Sequence, residues 1–383
     1  MTARAGLAVI SFAQDAGGVG YVARLLRRAL RDAAGEPWTA ALDPARYFDV
    51  SLRESGTFAL RLLRACATRR VDWLLFNHVG VARALKAVPA PFRVPYAVFV
   101  HDIEAWSPDL DPARKRALAG ASLRIANSAY TAARIEATHP ELAPVVPCPL
   151  GLLEDTPAPG AIDETLLAAM GRHAVLIVGR ISSTERYKGH DELLAAWPTV
   201  VAAVPAARLV IAGRGDDVPR LSAKAVALGV GDSVLFPGYV NEATLALAFE
   251  RAALYAMPSA REGFGLVYLE AMRAGIPCIG STTDAARDVI VDGRTGFLVD
   301  RADPGAVAAA LIALLTNDDL RGRMGRAGRA RFESGFTYEH FRDRLLPILS
   351  RSFPGSVARR ERPGAANALP QALAAGTDID QIP

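Results

Sequence analysis

The stretch "AALYAMPSAREGFGLVYLEAMRAGIPCIG" (residues 252–280) reads as strand, loop, helix and second strand. Its flanking runs, 252–259 and 277–282, are almost continuously apolar, as parallel strands buried on both faces are. Between them, 266–273 has helix composition, and Gly275 stands where a helix C-terminal cap is expected. This is the repeating unit of a parallel α/β sheet. The loop carries Glu262 ahead of Gly263 and Gly265, and Glu270 follows in the helix with seven residues between the two glutamates. The amides of Phe264, Gly265 and Leu266 would head that helix without intrahelical partners, a cradle suited to phosphate. Glu262 can then reach a polar group beside the phosphate, and Glu270 can accept two hydrogen bonds from a ribose diol. On spacing alone the stretch equally suits an acidic loop followed by a solvated helix glutamate.

Working outward, the same signature recurs on both sides. Toward the C-terminus lies 296–300; toward the N-terminus lie 233–240, 207–213 and 174–181. An earlier set comprises 6–11, 38–43, 72–78, 96–102, 123–128 and 143–150. Helical patterns such as "YVARLLRRALRDA" fall between the strands. The segment "GLLEDTPAPGAID" (151–163) lacks periodicity and reads as a linker. The fold class expected is α/β, with two Rossmann-like doubly wound domains facing a central cleft. Residues 1–155 form the first, and 165–340 the second. Ligands of such sheets sit at the carboxyl ends of the strands. The last 30 residues, 354–383, are rich in Pro, Gly and Ala and read as a poorly ordered tail.

Other candidates lie at predicted strand ends. In "VGRISSTERYKGHDELLAAW" (178–197), Arg180 and Lys188 make a cation pair suited to a diphosphate, although two solvated cations read the same way. "SFAQDAGGVGYVARLL" (11–26) places Gly17 and Gly18 in a strand-turn-helix anion cradle. That turn, with Asp43 ending the next strand, also keeps a dinucleotide site open, though "GGVG" is not the G-x-G-x-x-G pattern. His101 ends an apolar strand, where a functional and a structural role are both open; His78 is a second choice. The Asp-x-Asp of "PDLDP" (108–112) precedes a helix and reads as capping, and the "DID" at 378–380 falls in the tail.

The bulk numbers set limits. A chain of 383 residues with 51% apolar and 22% charged residues is globular and long enough for two domains. A net charge of +4, spread along the chain, suits anionic small molecules or anionic lipid and not nucleic acid. Three scattered cysteines give neither a disulfide framework nor a zinc spacing. No run approaches the roughly 20 apolar residues of a membrane span, so a cytoplasmic protein is expected. The basic amphipathic segments 22–33 and 60–70 are solvated faces or sites of peripheral contact with the inner face of an anionic membrane.

Taken together, these residues resemble the family 4 retaining glycosyltransferases of GT-B fold. The resemblance rests on Glu262 and Glu270 within "PSAREGFGLVYLEAM", on "VGRI" and "YKG", and on "AGRGDD" (212–217), "FPGYVNEATL" (236–245) and "DGRTGFLV" (292–299) in order. It implies a metal-independent hexosyltransferase without cofactor, taking a UDP- or GDP-sugar and a glycan or lipid-linked acceptor, in surface polysaccharide synthesis. By the same resemblance Arg180 and Lys188 hold the diphosphate, Glu262 the transferred sugar and Glu270 the ribose. The amides of Phe264 to Leu266 support sugar and phosphates, and Gly213 and Val240 lie near the nucleoside. Gly17, Gly18 and His101 approach from the first domain, and a final helix, about 340–353, crosses back to it. Where many relatives have a Gly-Gly pair and a glutamate, this chain has Asp284, Ala285, Ala286 and Asp288, expected on the rim of the donor pocket. An epimerase or phosphorylase on the same fold, a non-catalytic binder of sugar nucleotides and a nicotinamide oxidoreductase are the alternatives.

Overall fold

In the computed structural model, residues 3–13, 17–42, 52–154 and 160–356 are described. Asp43 and the segment from 357 onward, with its Asp-Ile-Asp, lie outside the described residues. Within them, the apolar runs form two six-stranded sheets in which every pairing is parallel. The first contains β1 (Ala5–Val9), β2 (Trp38–Ala41), β3 (Trp73–Phe76), β4 (Tyr96–Val100), β5 (Leu123–Ala126) and β6 (Val146–Pro147), in the order β2-β1-β3-β4-β5-β6. The second contains β7 (Ala174–Val178), β8 (Arg208–Ala212), β9 (Val234–Gly238), β10 (Leu254–Ala256), β11 (Cys278–Ser281) and β12 (Gly296–Val299), in the order β12-β11-β10-β7-β8-β9.

These orders locate the ligand crevices. Strand order reverses between β1 and β3 in one sheet and between β7 and β10 in the other, and doubly wound sheets bind at such switch points. The described residues there are 10–13, 17–18, 77–78, 179–189 and 257–265, which hold most of the candidates.

Helices cover both faces because the strands are apolar on both. Helix Gly17–Ala34 buries Val22, Leu25, Leu26, Ala29 and Leu30. In the second domain, Trp197 is fully buried and donates from Nε1 to Ser233 Oγ at 2.9 Å, satisfying its one polar atom.

The chain passes between the domains twice, and the two passages lie side by side. Leu152 donates its amide to the Phe336 carbonyl at 2.9 Å and forms a parallel bridge with Thr337. Gly151 fits there because a Cβ would stand 2.3 Å from the Thr337 carbonyl oxygen. Helix Tyr338–Ser352 then lies on the first domain: Tyr338 donates to Asp32, Arg344 to the Pro149 and Leu150 carbonyls, and Phe353 stacks on Trp73 at 4.6 Å. Arg28 stacks on the Tyr338 ring at 4.3 Å, so part of the basic face of Gly17–Ala34 is covered by this helix.

Candidate active site

Helix Leu266–Ala274 starts at Gly265, whose left-handed backbone (φ 88°) turns the chain out of the loop after β10. The amides of Phe264, Gly265 and Leu266 therefore gather at a helix N-terminus, where the peptide dipoles favour an anion. Helix Gly17–Ala34 of the first domain begins opposite. A Cβ on Gly18 would stand 4.0 Å from Leu266 Cδ1. Two helix N-termini thus flank the cleft.

Two charged side chains meet at this point. Lys188 Nζ lies 3.8 Å from Glu262 Oε2, and both side chains keep about a fifth of their surface open. Lys188 belongs to the short turn Arg186–Lys188, and Gly189, with φ 95°, begins helix His190–Ala203 behind it. The Tyr187 carbonyl accepts the Ala260 amide at 2.9 Å, so the Lys188 turn and the Glu262 loop move together. Arg180 extends toward the same region with its guanidinium on Glu185 at 2.5 Å. Glu185 is a partner that sequence reading did not supply.

Glu270 lies further along the helix, half-buried. Burial, with a smaller push from Glu242, raises its carboxyl to about 7. Gly213 follows β8 and donates its amide to Gly238 at 2.8 Å, and Val240 follows β9, partly buried.

From the first domain, His101 ends β4. Its Nε2 donates to the Asn77 carbonyl at 2.5 Å, which leaves Nδ1 as the ring's lone-pair nitrogen. Burial lowers its basicity to about 4, so the ring is neutral. His78 is held differently. Its Nδ1 accepts the Gly80 amide at 2.9 Å and its Nε2 faces the buried Glu104 carboxyl, which assigns it to capping the helix behind the cleft. Glu104 also accepts the His101 amide at 3.1 Å. Burial and the neighbouring Asp102 hold its carboxyl well above the usual range. Asn77, fully buried, accepts from the Ile10 amide and donates to the Val19 carbonyl, pinning the glycine turn to the end of β3.

The domains touch at the site itself. The Gly263 carbonyl accepts the Ser128 hydroxyl at 2.6 Å and the Thr131 hydroxyl at 3.0 Å. Tyr130 donates its amide to Asp288 and its hydroxyl to the Thr283 carbonyl, both at 2.8 Å. Asp284 lies under the Glu262 loop and not on a rim. It is fully buried and accepts from Ser259 Oγ, the Glu262 amide and the Ala286 amide. Burial pushes its carboxyl to about 7. Asn77, Glu104, Ser128 and Thr131 were missed from the sequence; their positions past strand ends were the available signal. Asp111 caps helix Pro112–Ala119 as expected, accepting from Ala113 and Arg114.

Comparison with known proteins gives a consistent picture. Residues 161–331 match the family described as glycosyl transferases group 1. The phosphatidyl-myo-inositol mannosyltransferase of Mycobacterium leprae is 42% identical over 155 residues, 40% of this chain and 40% of that protein. A GDP-mannose-dependent monoacylated alpha-(1-6)-phosphatidylinositol monomannoside mannosyltransferase of Corynebacterium glutamicum is 35% identical over 169 residues, 42% of this chain and 44% of that one. The chain thus spans less than half the length of these curated relatives. Among solved structures, Anabaena HepE in complex with UDP and glucose superposes with a TM-score of 0.72 at 17% identity, over 91% of this chain and all of that one. Sucrose-phosphate synthase from Thermosynechococcus elongatus gives 0.75 at 21%, over 92% of this chain and 99% of that one. At these identities the likeness is one of fold.

Proposed function

We propose, from the match of residues 161–331 to the glycosyl transferases group 1 family and from the two-domain GT-B fold, that the chain moves a mannosyl group from GDP-mannose to a lipid-linked acceptor, with retention of configuration. The observation that carries the reading is the meeting of Lys188 and Glu262 at the head of helix Leu266–Ala274, at a sheet switch point and across from His101. The two mannosyltransferase relatives support the donor and the lipid character of the acceptor.

In this reading the diphosphate lies between the two helix N-termini, with Lys188 and Arg180 beside it. The bond between the sugar and the diphosphate breaks toward an oxocarbenium-like state, and charge accumulates on the leaving oxygen. Preorganised cations and amides stabilise that charge without reorganising. The acceptor hydroxyl attacks on the face the diphosphate leaves, and its proton passes to a phosphate oxygen. Glu262 and the Nδ1 of His101 hold sugar hydroxyls, and Glu270 holds the ribose diol. The exposed Leu60, beside Arg61 and Arg64, is the proposed contact with anionic lipid.

A panel of nucleotide sugars tests the proposal. GDP-mannose should give the largest rise in Tm and label an extractable lipid acceptor, with turnover unchanged in EDTA because Arg180, Lys188 and peptide amides neutralise the phosphates. Transfer only from another donor, or loss of turnover in EDTA, would overturn it.

Glu270 adds a pH signature. With the Glu270 carboxyl raised to about 7, ribose binding at lower pH must first displace a proton. Affinity for GDP should fall below pH 7, by up to about tenfold per pH unit. A Glu270→Gln variant should bind more weakly at pH 8 and converge on wild type near pH 5.5. Parallel pH profiles for the two proteins would remove Glu270 from the ribose site.

A further inference from the structure

The loop that joins β7 to helix His190–Ala203 carries Arg180 near its start and Lys188 near its end. Nothing in the spacing of those two cations explains how a loop this polar keeps them aligned. The "GDD" segment after β8 supplies the answer. Ile181 donates its amide to the Arg214 carbonyl at 2.8 Å, and Asp217 donates its own amide back to the Ile181 carbonyl at 3.2 Å. Asp216 accepts both the amide and the hydroxyl of Ser183.

Asp217 does most of the gripping. Its side chain is only 5% exposed, yet it receives Arg186 through Nε at 3.2 Å and Nη2 at 2.9 Å. Arg186 begins the turn that ends in Lys188. On its other side, Asp217 is held by Arg220, which also donates to Asp191 at 2.9 and 2.7 Å. Lys224 adds a bond to Asp191 at 2.6 Å. Asp191 lies in the first turn of the helix that follows Lys188 and Gly189. One guanidinium, Arg220, therefore holds the loop through Asp217 and Arg186, and the helix start through Asp191. Ion pairs with one partner this exposed contribute little net stability. What they do fix is relative position, since bidentate guanidinium–carboxylate contacts are directional.

We propose that Asp217, reaching the loop through Arg186 and assisted by Asp216, is a positioning residue that presets Lys188 and Arg180 for the two phosphates of the donor. The inference rests on the diphosphate reading given above. It does not concern the nucleoside, whose contacts are assigned to Gly213, Val240 and Glu270.

That separation gives the test. Binding of GDP and of GMP is measured by calorimetry on wild type, Asp217→Asn, Arg186→Ala and Lys188→Ala, and the GDP-to-GMP affinity ratio is the readout. A merely structural role would weaken both nucleotides alike or lower Tm alone. The clamp predicts that Asp217→Asn and Arg186→Ala each weaken GDP by about tenfold or more while GMP stays within about twofold. Arg186 is half exposed, so its variant carries the test if Asp217→Asn does not fold. If Lys188→Ala loses the ratio and the two clamp variants keep it, the clamp is overturned and the diphosphate reading stands. If Lys188→Ala keeps the ratio as well, both are overturned.

Discussion

A Lys188→Ala enzyme should lose about 10²- to 10³-fold in kcat/KM for the donor, the range found when one preorganised charge stabiliser is removed from an active site. Its fold should persist. Lys188 has its ammonium 3.8 Å from a carboxylate at the cleft and a fifth of its side chain open to solvent. Partly exposed ion pairs contribute about 0–1 kcal/mol, so the melting temperature should barely move. The catalytic loss comes from elsewhere. In the resting protein the ammonium faces Glu262. When the donor fills the cleft, the same ammonium meets a diphosphate that gains charge as its bond to the sugar lengthens. The interaction strengthens along the reaction and therefore acts on kcat as well as on binding. Lys188→Arg restores charge but not the compact geometry of an ammonium, so partial rescue is expected. Steady-state rates beside a thermal melt decide the matter. A Lys188→Ala rate within tenfold of wild type, in a protein that melts normally, would remove Lys188 from the reaction.

Gly263→Ala should be as damaging by a different route. A Cβ at this position would stand 1.8 Å from the carbonyl oxygen of His101 and 3.1 Å from Asp102 Cβ. The first is impossible without separating the domains or displacing the Glu262 loop. Either movement breaks the Ser128 and Thr131 hydrogen bonds to the Gly263 carbonyl. It also draws Glu262 away from His101, so groups that must converge on one sugar no longer do. Misplacement by about 1 Å can cost 10²-fold in rate, and the shift demanded here is larger. Transfer should fall by about three orders of magnitude or more. GDP should still bind, though more weakly, because Arg180, Lys188, Gly213, Val240 and Glu270, most of its proposed contacts, lie in the second domain. A Gly263→Ala enzyme with wild-type kcat would mean that the contact between domains seen here is not the working one.

The strands were legible from the sequence and much of the site's wiring was not, for a physical reason. Parallel strands buried on both faces leave continuous apolar runs, and all twelve runs became strands, shorter at their ends than the apolar stretch alone implied. The nearness of Lys188 and Glu262 was readable only through the family resemblance, which sets both against one diphosphate sugar, since neither loop's spacing points to the other. The expectation for Asp284 was misplaced. It was read as a rim residue from its substitution in a pocket segment, but its partners Ser259 and the Glu262 amide lie 25 and 22 residues earlier. Asn77 reaches Ile10 across 67 residues, and Ser128 reaches Gly263 across 135. A lone polar residue with a distant partner leaves no periodicity and no local motif. The ion pair of Arg180 with Glu185 was hidden for another reason: the two stand five residues apart in a loop, where no helical or strand period says which side chains face each other.

The paired passages at Leu152 and Phe336 behave like the spine of a book. Two chains that run alongside each other, with a glycine pressed against the neighbouring backbone, resist sliding and twisting but permit rotation about their common line. Displacement then grows with distance from that line. Phe264, the neighbour of Gly263, sets its ring 6.2 Å from that of Phe336 on this spine, so the page that carries Glu262 is bound close to the fold line and a swing there has a short lever against the Ser128 and Thr131 hydroxyls.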